Sequence, residues 1–587
     1  MNADAPNLNS LWGSLLIEEL VRTGVRYFCL PSGSRCAPLT TAVAAHPNVT
    51  SIYHFDERGA AFHALGYARA TSRPAVLITT SGTAVANTWP AVVEASVDRV
   101  PMILVTGDRP PELQDTGANQ TIDQGKFFGP YVRWQMELPC PNTQIKPEVI
   151  LTGVDQAVYR AQRSPQGPVH INCMYREPLA PVSHGEDYTG YLSALKSWRS
   201  GVEPYTEYAL PSTGPKVQPL HQLASTLNDV QQGLVVVGSL RDLTQSRSVQ
   251  KMVQKLAWPT LPDITSGLRL GSQQSPMIPY FDAMLASSRF TEENQPKAVL
   301  HLGGRLISKR LLDYLKRCRP CPYILVDDHP FRQDPLHGVT LRVEAEISHF
   351  CESLLPHLRA GKESDWLSRW RKASNQVTQT LGAFAMENGG LSEPLVAWLV
   401  SQMLQPDEGM FLASSMPVRD ADTFAAANGS AVLVACNRGT SGIDGVLATA
   451  TGFAQGLKRP VTLLIGDLAL LHDMNSLYLL RSIDVPVIIV VLNNNGGGIF
   501  SFLPIAQFPD VFERYFGTPH NLTFEGAARM FEVDYAHPRT KEAFIESYRG
   551  ANQSGQSTLI EITTGRNENY DLHVKLLETI TSNLNRT

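Results

Sequence analysis

The stretch VVLNNNGGGIF, Val490–Phe500, ends the apolar run VPVIIVVL in three amides followed by three glycines. A β-branched run of that length, stopped by Asn and Gly, reads as a buried parallel strand whose carboxyl end faces a ligand. The same pattern recurs in AVLITT, PMILVTG, GLVVVGS, KAVLHLGG, PYILVDD and VTLLIGD, with helix-length segments between. That alternation predicts an α/β fold of doubly wound parallel sheets.

A chain of 587 residues is too long for one core, because domains run to roughly 100–200 residues. Three such domains are expected, over 1–195, 215–370 and 380–587. GVEPYTEYALPSTGPKVQP (Gly201–Pro219) reads as a linker, and the charged RAGKESDWLSRWRKAS (Arg359–Ser374) leads out of the middle domain. GYARATSRPAVLI (Gly66–Ile78) echoes GFAQGLKRPVTLL (Gly452–Leu464), with Gly, an aromatic, Ala and then Arg-Pro at the same offsets. The first and third domains are therefore expected to be related.

Charged residues make up 18% of the chain and the net charge is −5, with no long basic block, which gives no electrostatic reason to expect nucleic acid. No apolar run approaches the ~20 residues a membrane span needs. The start, MNADAPNLNSLWG, lacks a basic region followed by an apolar core, so a cytoplasmic chain is expected. Eight cysteines are too few for a disulfide framework, and Cys318 and Cys321, with no second pair nearby, read as incidental thiols.

Asp467, in LLIGDLALLHD, precedes Asn494 by 27 residues and also ends an apolar strand. Neighbouring strand ends would bring the Asp467 carboxylate, the Asn494 amide oxygen and a carbonyl of the glycine run (Gly496) together. Such a set, low in charge, suits Mg²⁺ already carried by a diphosphate. The plainer alternative is a helix-starting acid beside an ordinary loop. Gly466-Asp467 followed at this spacing by Asn493-Asn494 resembles the thiamine-diphosphate-binding motif, with Leu468 where glycine is commoner. That cofactor needs a carboxylate against its N1′, which favours the 4′-imino tautomer whose nitrogen takes the thiazolium proton. Glu57 in HFDERGAAFHALGYARA matches the position; otherwise it is a helix-start acid favoured by the macrodipole.

The segments SGSRCAPLT, HFDERGAAFHALG, TSGTAVAN, GDRPPELQDTGANQ, NRGTSGIDG and NNNGGGIFSFLP, in that order, are similar to the 2-succinyl-5-enolpyruvyl-6-hydroxy-3-cyclohexene-1-carboxylate synthases of menaquinone and phylloquinone biosynthesis. The resemblance implies decarboxylation of 2-oxoglutarate on thiamine diphosphate and addition of the succinyl unit to isochorismate. It also implies Mg²⁺, with Mn²⁺ as the alternative, and a homodimer or homotetramer with sites shared between subunits. Glu57 is carried over as catalytic. Gly82, Thr83, Ser441, Ile443, Gly466, Asp467, Asn494, Gly496, Gly497, Ile499 and Phe500 join it at the cofactor, with Asp467, Asn494 and Gly496 on the metal. Ser34, Arg35, Arg109, Asn119, Gln120, Lys309, Ser415, Arg419, Arg438, Phe500 and Leu503 are carried over to the substrates, whose dianions call for forked cations.

Three positions depart from the family pattern. The chain reads Ser32-Gly33-Ser34-Arg35-Cys36 where Pro-Gly-Ser-Arg-Ser is usual, and Ala469 stands where a serine is common. Acetolactate synthases and 2-oxoacid oxidases use the same cofactor on smaller oxoacids, which four arginines at motif positions disfavour. A non-catalytic scaffold of the same fold has no need of Glu57, Asp467 and Asn494 together.

Overall fold

The structure, a computed structural model, describes residues 5–211, 214, 217–271, 275–387 and 390–586. Ser212, Thr213, Pro215 and Lys216 of the expected linker therefore lie outside the described residues. The apolar runs form three wholly parallel sheets. In the first, β1 (Tyr27–Leu30), β2 (Thr50–Tyr53), β3 (Ala75–Thr79), β4 (Met102–Asp108), β5 (Gln135–Leu138) and β6 (Pro168–Met174) lie in the order β2-β1-β3-β4-β6-β5. The second contains β7 (Gly233–Val237), β8 (Thr260–Pro262), β9 (Ala298–Leu302), β10 (Tyr323–Asp327) and β11 (Leu341–Glu344), in the order β11-β10-β9-β7-β8.

The third sheet contains β12 (Gly409–Leu412), β13 (Leu433–Cys436), β14 (Val461–Gly466), β15 (Val487–Asn493), β16 (Asp534–Ala536) and β17 (Thr558–Thr563). Its order, β13-β12-β14-β15-β17-β16, repeats the winding of the first sheet strand for strand. The sequence echo thus marks two copies of one topology. In both copies the helix before the Arg-Pro pair ends in a left-handed residue, Ser72 and Lys458, each at φ 55°. The central strands β3, β4 and β15 are buried along their whole length, which is why they show no polar alternation.

The chain divides into two compact units, Met1–Pro211 with Asn437–Lys458 and His472–Asp484, and Ser212–Cys436 with Arg459–Leu471 and Val485–Thr587. Within the first, the helices Glu57–Thr71 and Val446–Leu457 pack through the two echoed glycines. A Cβ on Gly66 would lie 2.0 Å from the Thr449 carbonyl oxygen, and one on Gly452 would lie 1.9 Å from that of His63. Each glycine admits the backbone of the other helix, so Gly66→Ala should cost about 1–3 kcal/mol or more, read as a lowered denaturation midpoint. Between these helices His63 is held by the Tyr27 hydroxyl at 2.7 Å and the Thr451 hydroxyl at 2.9 Å. Burial lowers its pKa to about 3, so the bridge is neutral.

Two stretches are more ordered than their composition implied. In the linker, the Tyr205 and Thr206 amides donate to the buried carboxylates of Glu19 and Asp155, which fastens its first half to the first unit. The charged segment after the middle sheet runs into a helix, Asp365–Glu387, that continues unbroken through the expected boundary at 370–380. Trp366 and Trp370 bury one face of it, and the Trp366 indole donates to the Gly233 carbonyl at 2.8 Å. The charges occupy its other face. No helix among the described residues is long and apolar enough to cross a membrane.

Candidate active site

In the second unit the register of β14 and β15 sets Gly466 opposite Leu492. Asp467 and Asn494 therefore leave neighbouring strands at the same carboxyl edge. Asp467 is 2% exposed. Its Oδ1 accepts from the Leu468 amide at 2.6 Å and its Oδ2 from the Gly496 amide at 2.9 Å, with His520 Nε2 at 3.2 Å. Burial holds this carboxyl above the usual range in spite of those partners. Gly496 sits at φ 135°, and a Cβ there would lie 1.8 Å from the Gly517 carbonyl oxygen. Only glycine turns the chain back toward Asp467 at that point.

Asn494 is 8% exposed; its Nδ2 donates to Glu393 Oε1 at 2.9 Å, and its buried Oδ1 has no hydrogen-bond partner among the described residues. An unsatisfied amide oxygen in such a place costs ~1–3 kcal/mol, which a cation would relieve. Beside it Gly466 borders open space. These residues fit a hard divalent cation that takes its remaining oxygens from a diphosphate. Gly497 donates to the Gly517 carbonyl at 2.8 Å. Ile499 and Phe500 follow half-buried, Phe500 edge-on to Phe516, and Leu503 is 45% exposed.

Ser415 (φ 76°) opens the helix Met416–Phe424, and Arg419, one turn on, donates to the Ser415 carbonyl. Lys309 is the exposed first residue of the helix Lys309–Cys318. The buried Asp282 joins these two helices. It accepts from Ser308 at 2.6 Å and Arg310 at 2.5 Å on one side, and from Thr423 at 2.8 Å on the other.

In the first unit Glu57 is the first residue of its helix, half-buried, behind the N-cap Asp56; Asn87 Nδ2 lies 3.3 Å from its Oε2. The Gly82 amide donates to Gln124 at 2.9 Å, and Thr83 follows, exposed, as the start of a helix. Gly82 lies against the backbone of Gln120, and Arg109 Nε donates to the Asn119 carbonyl at 3.0 Å. Gly82, Arg109, Asn119 and Gln120 are thus brought together at the ends of β3 and β4. Ser34 is exposed, whereas Arg35 is 4% exposed and directs its guanidinium to the Tyr175 carbonyl at 2.8 Å and to Glu177 at 3.3 Å.

Arg438, Ser441 and Ile443 lie on one loop. The buried carboxylate of Glu94 fastens it, accepting from the Gly439 amide at 2.8 Å, the Thr440 amide at 2.6 Å and the Thr440 hydroxyl at 2.9 Å. Ile443 is 37% exposed, an apolar side chain presented rather than packed.

Residues 12–127 match the family description "Thiamine pyrophosphate enzyme, N-terminal TPP binding domain", 189–412 match "Middle domain of thiamine pyrophosphate", and 421–562 match "Thiamine pyrophosphate enzyme, C-terminal TPP binding domain". The 2-succinyl-5-enolpyruvyl-6-hydroxy-3-cyclohexene-1-carboxylate synthase of Rubrobacter xylanophilus is 50% identical, covering 98% of this chain and 99% of its own. That of Salinibacter ruber is 48% identical, covering 98% and 97%. The chain belongs to this synthase family. A solved structure described as "a putative thiamin diphosphate-dependent enzyme isolated from Mycobacterium smegmatis" shares the fold at TM-score 0.69 and 15% identity, over 94% of this chain and 99% of that one.

Four residues of this synthase-family chain went unnoticed in its sequence: Glu94, Asp282, Glu393 and His520. Each is an acid or histidine inside an ordinary helix or loop. Their partners Gly439, Thr423, Asn494 and Asp467 lie 345, 141, 101 and 53 positions away. No local pattern carries that information.

Proposed function

We propose that this chain is a thiamine-diphosphate- and Mg²⁺-dependent carboligase that joins 2-oxoglutarate to isochorismate with loss of CO₂, in menaquinone or phylloquinone biosynthesis. The observation that carries the reading is the buried Asp467 carboxylate beside the unpartnered Asn494 oxygen at one strand edge, in a chain half identical to a named synthase. When bound, thiamine diphosphate supplies a carbon nucleophile that accepts the electrons released with CO₂. Asp467, Asn494 and the Gly496 carbonyl hold the cation; Gly466 and Gly497 leave room for the diphosphate; Gly82, Thr83 and Ser441 line the cofactor. Glu57 holds the proton at N1′. Ile443 gives the cofactor an apolar support, while Ile499, Phe500 and Leu503 exclude water from the carboxylate that is lost.

Ser415 and Arg419 take the distal carboxylate of 2-oxoglutarate. Ser34, Arg35, Arg109, Asn119, Gln120, Lys309 and Arg438 orient isochorismate, with Arg35 exchanging its present partners for the substrate. The domains span 1–195, 215–370 and 380–587, and the assembly is a cytoplasmic homodimer or homotetramer with sites completed between subunits. Arg419→Ala should raise the KM for 2-oxoglutarate about 10–100-fold, the worth of a charged hydrogen-bond pair, and that for isochorismate far less. A selective rise for isochorismate would reverse the assignment.

A further inference from the structure

We infer that Glu393 is a positioning residue for the metal: it selects the orientation of the Asn494 amide so that the oxygen, not the nitrogen, faces the cation. The inference rests on the proposed cofactor site and adds to it a residue outside the binding motif. An amide side chain is nearly symmetric in shape, so its neighbours decide which end points where. Glu393 opens the helix Glu393–Met403 and is 1% exposed. As a carboxylate Glu393 can only accept, and its Oε1 accepts a hydrogen bond from Asn494 Nδ2 at 2.9 Å. Turning the amide over would set oxygen against oxygen there and leave an NH₂ group facing the metal.

The pair is built into the strand ends. Thr564 donates its hydroxyl to the same Glu393 oxygen at 3.2 Å, and its backbone amide donates to the Asn493 carbonyl at 2.9 Å. One residue thus ties the end of β15 and the carboxylate together. Close by, Asp420 is engaged by His573 Nε2 at 2.8 Å, and His573 Nδ1 lies 2.7 Å from the Asn569 carbonyl. Both ring nitrogens face acceptors, and although burial opposes the charged form, the Asp420 carboxylate raises the pKa of the imidazole behind the site. A carboxylate one bond removed from a metal ligand both fixes that ligand and strengthens its oxygen as a donor. If Glu393 were only a helix-start acid, its loss would lower stability without changing the affinity of the folded protein for metal.

The test uses full-length wild type, Glu393→Ala and Glu393→Gln, titrated with Mg²⁺ at saturating thiamine diphosphate and followed by tryptophan fluorescence. Far-UV circular dichroism reports folding. Glu393→Ala should raise the Mg²⁺ Kd about 10–100-fold, the usual effect of losing such a partner, with kcat recovering toward wild type at high Mg²⁺. Glu393→Gln keeps an accepting oxygen and the same shape, so it should fold and restore part of the affinity. A Kd within twofold of wild type in folded Glu393→Ala would overturn the inference; should that variant not fold, the same result in Glu393→Met, which fills the space without an accepting oxygen, would do so. Wild type that binds no thiamine diphosphate with Mg²⁺ would instead sink the cofactor site itself, and the inference with it.

Discussion

Glu57→Gln is expected to lower kcat about 100-fold or more, the scale of a lost general acid–base group, while the protein stays folded. Its surroundings explain why the two effects separate. Glu57 is half-buried and, among the described residues, accepts one weak hydrogen bond, from Asn87 at 3.3 Å. The N-cap that starts its helix comes from Asp56, which accepts from the Arg58 amide at 2.9 Å. Glutamine keeps the shape and an oxygen for Asn87 but cannot share a proton with N1′. Thermal melts and steady-state rates on the same preparation would check both halves. Turnover at the wild-type level would remove Glu57 from the chemistry.

Asp467→Asn should weaken the binding of thiamine diphosphate with Mg²⁺ by about 100-fold or more, ~2.7 kcal/mol at 1.36 kcal/mol per tenfold. The carboxylate is buried and receives the Leu468 and Gly496 amides. Asparagine offers one acceptor oxygen in place of two, so its NH₂ must confront one of those N–H groups, and the negative charge facing the cation is lost. A fluorescence titration of cofactor against fixed Mg²⁺ would read the effect. Unchanged affinity would mean that the cation is held elsewhere.

What the sequence revealed was what local pattern can encode. Runs such as VPVIIVVL fix buried parallel strands because a strand covered on both faces needs no polar alternation, and the sheets follow. The echo around Gly66 and Gly452 anticipated the shared winding of two sheets, although nothing in it announced that those glycines face each other's helix. Asp467 and Asn494 were legible because strand ends and glycine turns have fixed spacing. Glu94, Asp282 and Glu393 were not, because an acid in a helix looks alike whether it faces water or receives two or three donors from distant parts of the chain. The segment around Trp366 shows the same limit: its charges sit on the solvent face of a helix whose other face carries two buried tryptophans.

The central claim is that this chain carries out a cofactor-dependent carboligation. Its most direct test is a cuvette assay with purified protein, Mg²⁺, thiamine diphosphate, 2-oxoglutarate and isochorismate, following loss of isochorismate absorbance with each component omitted in turn. The account predicts a loss that stops when either the cofactor or 2-oxoglutarate is left out. Isochorismate that persists in the complete mixture, with the cofactor shown to be bound, would contradict it.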